Sequence, residues 1–341
     1  MSALTGFSKL TVSTKIIPEV ADNIIDCSRG LQFLEKKGRI EYGMGGDGYQ
    51  MQTRYANSNI GGATSDFAIS NASTTQPYQN LTDNFKQYAW KLFLPSFQIA
   101  RNKNADQTSK LADLVTNTVN EVKQSASQRL AQVFYTGTGT SYTGDVDTNM
   151  NGLSDSIGST SNTYMGIARS SNTWFQPQSG STTTFTADTF SKGVTDGMQG
   201  LMTLWVSCMH GQQSGNDVPP DVAVSQAAPD GILTDSNGWQ GVWQSYSPQQ
   251  RFQNVQKADT LNDLMFMGTP IMWDNYATSK TFWLIRSDTM GIYFVPDDML
   301  ELMIDDLPVM NPIGRVWIIG TQAQSWCNKP RYNGKFSFTN L

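Results

Sequence analysis

Histidine is almost missing from this 341-residue chain, where His210 stands alone. A Ser-His-Asp or Cys-His site would have to be built around that one imidazole, and a multi-histidine metal centre is excluded. Cysteine is also scarce. Cys27, Cys208 and Cys327 are an odd, widely scattered trio, which fits a reducing compartment and free thiols better than a disulfide framework. Charge is thin: Lys and Arg number 24 against 29 Asp and Glu, for a net charge of −5. Affinity for nucleic acid comes from clustered Lys and Arg, so only weak, non-specific contact with DNA is expected. No uncharged apolar run approaches the ~18–20 residues that span a bilayer. The opening Met1-Ser2-Ala3-Leu4-Thr5-Gly6 lacks a basic region followed by an apolar core, so no secretory signal is expected.

Ser, Thr, Asn, Gln and 29 Gly fill the space left by only 38% hydrophobic and 16% charged residues. Such a mixture suits extended strands, loops and polar contact surfaces better than a compact helical enzyme. At this length the chain forms one large domain or two intertwined smaller ones.

Residues 1–36 mix short apolar clusters with charges and Pro18, which reads as an arm with no core segment. Two alternating runs, 39–42 and 49–55, flank Gly43-Met44-Gly45-Gly46-Asp47-Gly48 and are predicted to pair as a hairpin. After the polar segment 57–82, the run 85–94 places Tyr88, Trp90 and Leu92 on one strand face at period two, so 46–100 reads as a long two-stranded excursion. Pro95 breaks it.

Between 104 and 135, Leu111, Leu114, Val115, Val119, Val122, Ala126, Leu130, Val133 and Phe134 recur every three or four residues. That spacing predicts one amphipathic helix of about 45 Å, far longer than the mean of ~11–12 residues, stopping at Gly137. The stretch 136–185 is too polar to cover a core by itself. A second helix is predicted over 187–209, burying Phe190, Val194, Met198, Leu201, Met202 and Trp205. Strands are predicted at 221–225, 263–273, 281–286, 290–295, 299–304, 315–319 and 334–338.

Each chemical motif meets an ordinary explanation. Residues 43–48 satisfy G-x-G-x-x-G, but a dinucleotide site needs a helix next, and a strand pattern follows. Asp147, Asn149 and Asn151 match the first half of a calcium loop as a weak metal candidate. The twelfth position, where a bidentate Glu belongs, is Gly158, so an Asx-rich loop is the better reading. Asp297, Asp298, Glu301, Asp305 and Asp306 cluster without a His or Cys ligand nearby and read as a solvated face. His210 falls at a predicted helix end, where the dipole accounts for it. No catalytic residue, cofactor or enzymatic activity is expected. Nine Trp in so polar a chain point to protein interfaces as well as cores. Phe85, Tyr88, Trp90, Leu92, Trp239 and Trp243 are the candidate contacts between subunits.

The order of arm, polar hairpin, long helix ending in Phe134-Tyr135-Thr136-Gly137, glycine-rich crossing, second helix and closing strands resembles the major capsid proteins of tailed bacteriophages. Asn151-Gly152-Leu153 and Met165-Gly166-Ile167 look like the glycine-marked stretch after that family's spine helix. Pro220-Asp221-Val222-Ala223-Val224 is similar to the strand opening its axial domain. Residues 266–274 look like its Gly-x-Pro-hydrophobic strand, and Lys329-Pro330-Arg331-Tyr332-Asn333-Gly334-Lys335-Phe336 resembles its last peripheral strand.

The resemblance implies an α+β fold of the Hong Kong 97 type. Its parts would be an N-terminal arm over 1–45, an extended loop over 46–100 with 83–99 as the returning strand, a peripheral domain over 101–185, an axial domain over 186–296, and a return to the peripheral domain over 297–341. It implies hexamers and pentamers of the same chain enclosing double-stranded DNA in a virion assembled in the host bacterial cytoplasm. Portal, scaffolding and decoration proteins are the implied partners, with no membrane. A chain that begins directly with the arm implies a separate scaffolding protein or none. An encapsulin-type compartment shell or a tail protein is the alternative; the tail protein should show a fibre-like period, and none is visible.

Overall fold

The computed structural model describes residues 28–55, 78–95, 109–138, 149–184, 197–210, 228–250, 264–296, 301–307 and 314–340. They divide between two units. The first is drawn from Met1–Asp47, Phe85–Gly152 and Ile292–Ser325, the second from Gly48–Asn84, Leu153–Gly291 and Trp326–Leu341.

The first unit begins with helix α1 (Arg29–Lys36), which buries Leu31, Phe33 and Leu34. Residues 28–36 are therefore not a coreless arm: three apolar residues on one face suffice for a two-turn helix once a core receives them. Strand β1 (Ile40–Glu41) follows. Strand β2 (Gly48–Arg54) belongs to the second unit, where it pairs antiparallel with β3 (Tyr78–Asn84). The hairpin expected between 39–42 and 49–55 is thus absent. Gly43 and Met44 donate their N–H groups to Pro296 and Phe294 carbonyls, and β1 runs parallel to a distant strand instead.

Strand β4 (Lys86–Pro95) and helix α2 (Ser109–Thr136) give the first unit its layers. Val122, Ala126, Leu130, Val133 and Phe134 are buried at helical spacing, as predicted, and residues 104–108 lie outside the described set. The helix ends where Gly137 donates to Val133 O at 2.8 Å and Gly152 donates to Gly137 O at 2.9 Å. A Cβ on either glycine would strike backbone, at Met150 O for Gly137 and at Val133 O for Gly152, so only glycine permits this close return of the chain.

Helix α3 (Leu153–Ser156) opens the polar stretch, followed by β5 (Thr163–Tyr164), β6 (Ile167–Ala168) and β7 (Gln178–Thr184). Helix α4 (Gly197–His210), β8 (Gly231–Thr234), helix α5 (Ser236–Gln250), β9 (Met265–Phe266), β10 (Thr269–Trp273) and β11 (Thr281–Ile285) come next. The chain closes through β12 (Met290–Phe294), β13 (Glu301–Leu307), β14 (Gly314–Cys327) and β15 (Gly334–Asn340).

In the first unit, β14 is the hub of a five-stranded sheet: β4 pairs antiparallel with it from Gly314↔Pro95 to Ala323↔Lys86, and β12 and β13 also join it. The strand expected at 315–319 is therefore only the start of a 14-residue strand. The returning strand expected at 83–99 is instead this sheet strand, while Tyr78–Asn84 returns along β2.

The second unit holds a six-stranded sheet in the order β7-β15-β11-β8-β10-β9. All five residues of β11 are buried, as expected of a central strand covered on both faces, whose sequence is a continuous apolar run and not an alternation. Helix α4 packs on β7 and β15, and α5 on β8 and β10. Met198, Leu201, Leu204, Trp205 and Cys208 of α4 meet Phe282, Leu284, Phe336 and Phe338 in the core. Met202, predicted to be buried, is 39% exposed, because the 198–201–205–208 stripe places it on the flank. Phe190 and Val194 lie outside the described residues. The single strand expected at 263–273 is a hairpin: Met267 at φ 51 and Gly268 at φ 81 turn β9 back onto β10. Residues 221–225 are outside the described set.

Candidate functional site

The aromatic residues singled out in the sequence divide into spent and available groups. Along β4, Tyr88 is 9% exposed and its hydroxyl accepts the Met150 N–H at 2.8 Å. Its ring stacks 6.2 Å from that of Trp90, so the two share a face as their spacing predicted, and that face turns inward. The opposite face of β4 carries Ala89, Lys91 and Phe93, the last 46% exposed. Phe85, half-buried between β3 and β4, donates its N–H to Asp47 O at 3.1 Å. The Leu92 backbone pairs with Trp317; its side chain lies outside the described residues.

On α5 the arrangement is different. Asp235 caps the helix, its carboxylate accepting the Gly238 N–H at 2.9 Å. One turn on, Trp239 and Trp243 stack with ring centroids 5.6 Å apart and planes 8° from parallel. Trp239 packs against the core cluster, and Trp243 is 38% exposed. Nearby in the same unit, Met265 and Met267 at the β9–β10 hairpin are 56% and 50% exposed. Sequence reasoning missed both, because a run read as one buried strand hides the turn that pushes them out; the Met-Gly pair was the available signal.

The chemical candidates find ordinary partners. Asp147 is outside the described residues, Asn149 accepts a hydrogen bond from Arg129 at 3.2 Å, and Asn151 donates its backbone N–H to Gln324 Oε1 at 2.9 Å. Asn149 and Asn151 are buried at 4% and 7% exposure. Among the described residues, no group of three or more His, Cys, Asp or Glu is placed to hold a metal. Glu301, Asp305 and Asp306 lie on β13, Asp297 and Asp298 fall outside the described set, and His210 is the last residue of α4. Cys208 and Cys327 are free, buried thiols. Burial holds both thiols in the protonated form, pushing Cys327 up to about 12, so neither is an activated nucleophile.

Among the described residues, a dense polar cluster surrounds Arg169, which is fully buried. Its guanidinium donates to the carbonyls of Asp155 at 2.7 Å, Ser159 at 2.9 Å and Ser156 at 2.6 Å, and to Asn162 Oδ1 at 3.0 Å. Tyr164 and Phe175 rings lie 4.5 and 5.5 Å from it. Burial raises the Asp155 carboxyl from 3.8 to about 6, opposed by Arg169 and Asn162 and reinforced by Asp83. The donors point at main-chain carbonyls, so the cluster folds the 155–162 loop and leaves little with which to grip a substrate.

No protein-family model matches this chain, and no curated protein matches it. Solved structures do. The capsid asymmetric unit of cyanophage A-1(L) matches 88% of this chain with 90% of its own, at TM-score 0.64 and 14% identity. The chain has the Hong Kong 97 capsid fold. The capsid of an empty GTA particle matches at TM-score 0.56 and 12% identity, covering 89% of this chain and 95% of that one. The SrpI encapsulin of Synechococcus elongatus PCC 7942 matches at TM-score 0.52 and 6% identity, covering 89% and 86%. At such identities the capsid fold is held by its layered architecture and not by any short motif.

Proposed function

We propose that this chain is the major capsid protein of a tailed, double-stranded DNA bacteriophage, a shell subunit without enzymatic activity. The carrying observation is the match over 88% of the chain to a chain of the cyanophage A-1(L) capsid asymmetric unit. Hexamers and pentamers of the chain would build the head, and closure would multiply many modest contacts through effective concentration. In this reading α2 is the spine helix and the β2–β3 hairpin is the base of the extended loop that lies on a neighbouring copy. The shell would form in the host bacterial cytoplasm and persist in the virion. Portal, scaffolding and decoration proteins would be its partners, and at a net charge of −5 it would touch packaged DNA only weakly.

Electron microscopy of the expressed chain, alone and with a neighbouring scaffold gene, tests the proposal; closed icosahedral shells or capsomers are expected, and a persistent monomer overturns it. Replacing 56–77 by Asn-Gly should leave the protein soluble and prevent closed shells. The match to an encapsulin supports a second reading, a compartment enclosing cargo proteins. Nuclease-protected DNA in native particles favours the capsid, and co-purifying enzyme without DNA favours the compartment.

A further inference from the structure

We propose that the β2–β3 hairpin is held on the β5–β6 turn by a proton-controlled latch at Asp155, which seats the hairpin firmly when its carboxyl is protonated and loosens it when the carboxyl ionises in the field of Asp83. Every residue involved belongs to the second unit, and the inference stands whether or not the shell-subunit reading does.

The turn is buried at its tip. Met165 at φ 48 and Gly166 at φ 82 join β5 to β6, with Tyr164 paired to Ile167. Such tips usually stand in water, yet Met165 is 3% exposed and its carbonyl accepts the Thr82 N–H at 3.3 Å. Thr82 Oγ1 lies 3.5 Å from where a Cβ on Gly166 would stand. At its base the turn is pinned to Asp155. The Arg169 N–H donates to the Asn162 carbonyl at 3.1 Å, closing the base. The Asn162 side-chain amide donates to the Asp155 carboxylate and accepts from Arg169 at 3.0 Å, and Arg169 donates to the Asp155 carbonyl at 2.7 Å. One short β-ribbon thus joins a buried carboxyl to the strand that returns along β2.

Two charged groups act on Asp155: Arg169, just past β6, and Asp83, the neighbour of Thr82 on β3. Tyr164 and Cys327 border Arg169, and Tyr49 of β2 borders Tyr164. Burial keeps Tyr164 and Cys327 protonated, so neither charges in the range where the latch works. Burial likewise raises the Asp155 carboxyl from 3.8 to about 6, opposed by Arg169 and Asn162 and reinforced by Asp83. Lifting the hairpin takes Asp83 away and lets water reach Asp155, and both changes favour the ionised form. Proton binding and docking therefore strengthen each other by the same factor. The added hold is complete below about pH 4 and is lost as pH rises through about 6.

Hydrogen exchange on the full chain, kept in one assembly state and corrected for the intrinsic pH dependence of amides, tests the latch. A hairpin responsible for about half of the rise at Asp155 should open ~5-fold more often at pH 8 than at pH 5. It should also open more often than β11 at both values, because it lifts without the sheet unfolding. Asp155→Asn, a neutral stand-in for the protonated carboxyl that can still accept from Asn162, should hold the pH 5 level throughout. Asp83→Asn should keep the direction of the profile and lower its midpoint. Four results overturn the proposal: opening that is independent of pH in the unaltered chain, a dependence that survives in Asp155→Asn, a midpoint unmoved or raised in Asp83→Asn, or a hairpin that exchanges only together with β11.

Discussion

The six-stranded sheet and the β2–β3 hairpin belong to the same unit and are stabilised in opposite ways. Every residue of β11 is buried, and its neighbours Phe336 and Phe338 complete an aromatic group with Phe282. The hairpin has only two strands. Tyr49, Thr53 and Leu81 are buried on one face, while Gln50, Gln52, Tyr78, Asn80 and Thr82 stand in solvent on the other. Isolated two-stranded hairpins are marginal in water. This one is tied down by Thr53 Oγ1 donating to Asn328 O at 2.9 Å and by the Thr82 N–H donating to Met165 O at 3.3 Å. One region thus carries its own stability, and the other borrows it from the rest of its unit.

Phe336→Ala should break the self-sufficient region most severely. Its ring is buried between the sheet and α4, so its loss is expected to lower unfolding stability by about 3–5 kcal/mol in a denaturant titration. Arg169→Leu comes next. It strips the donors from three main-chain carbonyls and Asn162, at a cost of about 3 kcal/mol, read as a lower melting temperature with loss of protection over 155–162.

Asp155→Asn sharpens the comparison through pH. The folded state raises this carboxyl from 3.8 to about 6, so folding favours its protonated form. Its contribution is complete below about pH 4 and is lost as pH rises through about 6. The stability difference between unaltered chain and variant should change by at most ~3 kcal/mol across that window; a flat difference would contradict the buried environment assigned here. Leu81→Ala should act on the hairpin alone, opening β2–β3 to hydrogen exchange by about 2 kcal/mol while the melting of the sheet stays in place. Smallest of all, Gln52→Thr on the outer face should shift stability by less than ~0.5 kcal/mol in the same titration. Any larger effect would mean that this face is already packed within the subunit.

Local pattern made much of this architecture legible. The stripe Val122, Ala126, Leu130, Val133 identified α2 and its burial, and Met290–Phe294 and Gly334–Asn340 were close to their predicted spans. Helix α5 escaped notice because glycine, serine and glutamine dilute its apolar positions, and β7 because Gln178–Thr184 is polar throughout. Both are ordered by what they pack against: α5 by β8 and β10, β7 by its parallel register with β15. The contact candidates separated for the same reason. Alternation put Tyr88 and Trp90 on one face of β4, but period two is blind to which face the spine helix will cover.

The sequence alone determined the long helix, the shortage of charge and histidine that argues against phosphate-neutralising and histidine-based roles, and the alternation along β2 and β4. These depend on the spacing and kind of neighbouring residues. Tertiary structure decided which strands pair, because β1 with β12, β4 with β14 and β7 with β15 join segments separated by long stretches of chain. It also decided which aromatics are consumed in a core and which remain at the surface. A hydrogen-bond ladder is satisfied by any strand of suitable register, so the choice of partner is made by the whole packed chain and leaves no mark in the residues of either strand.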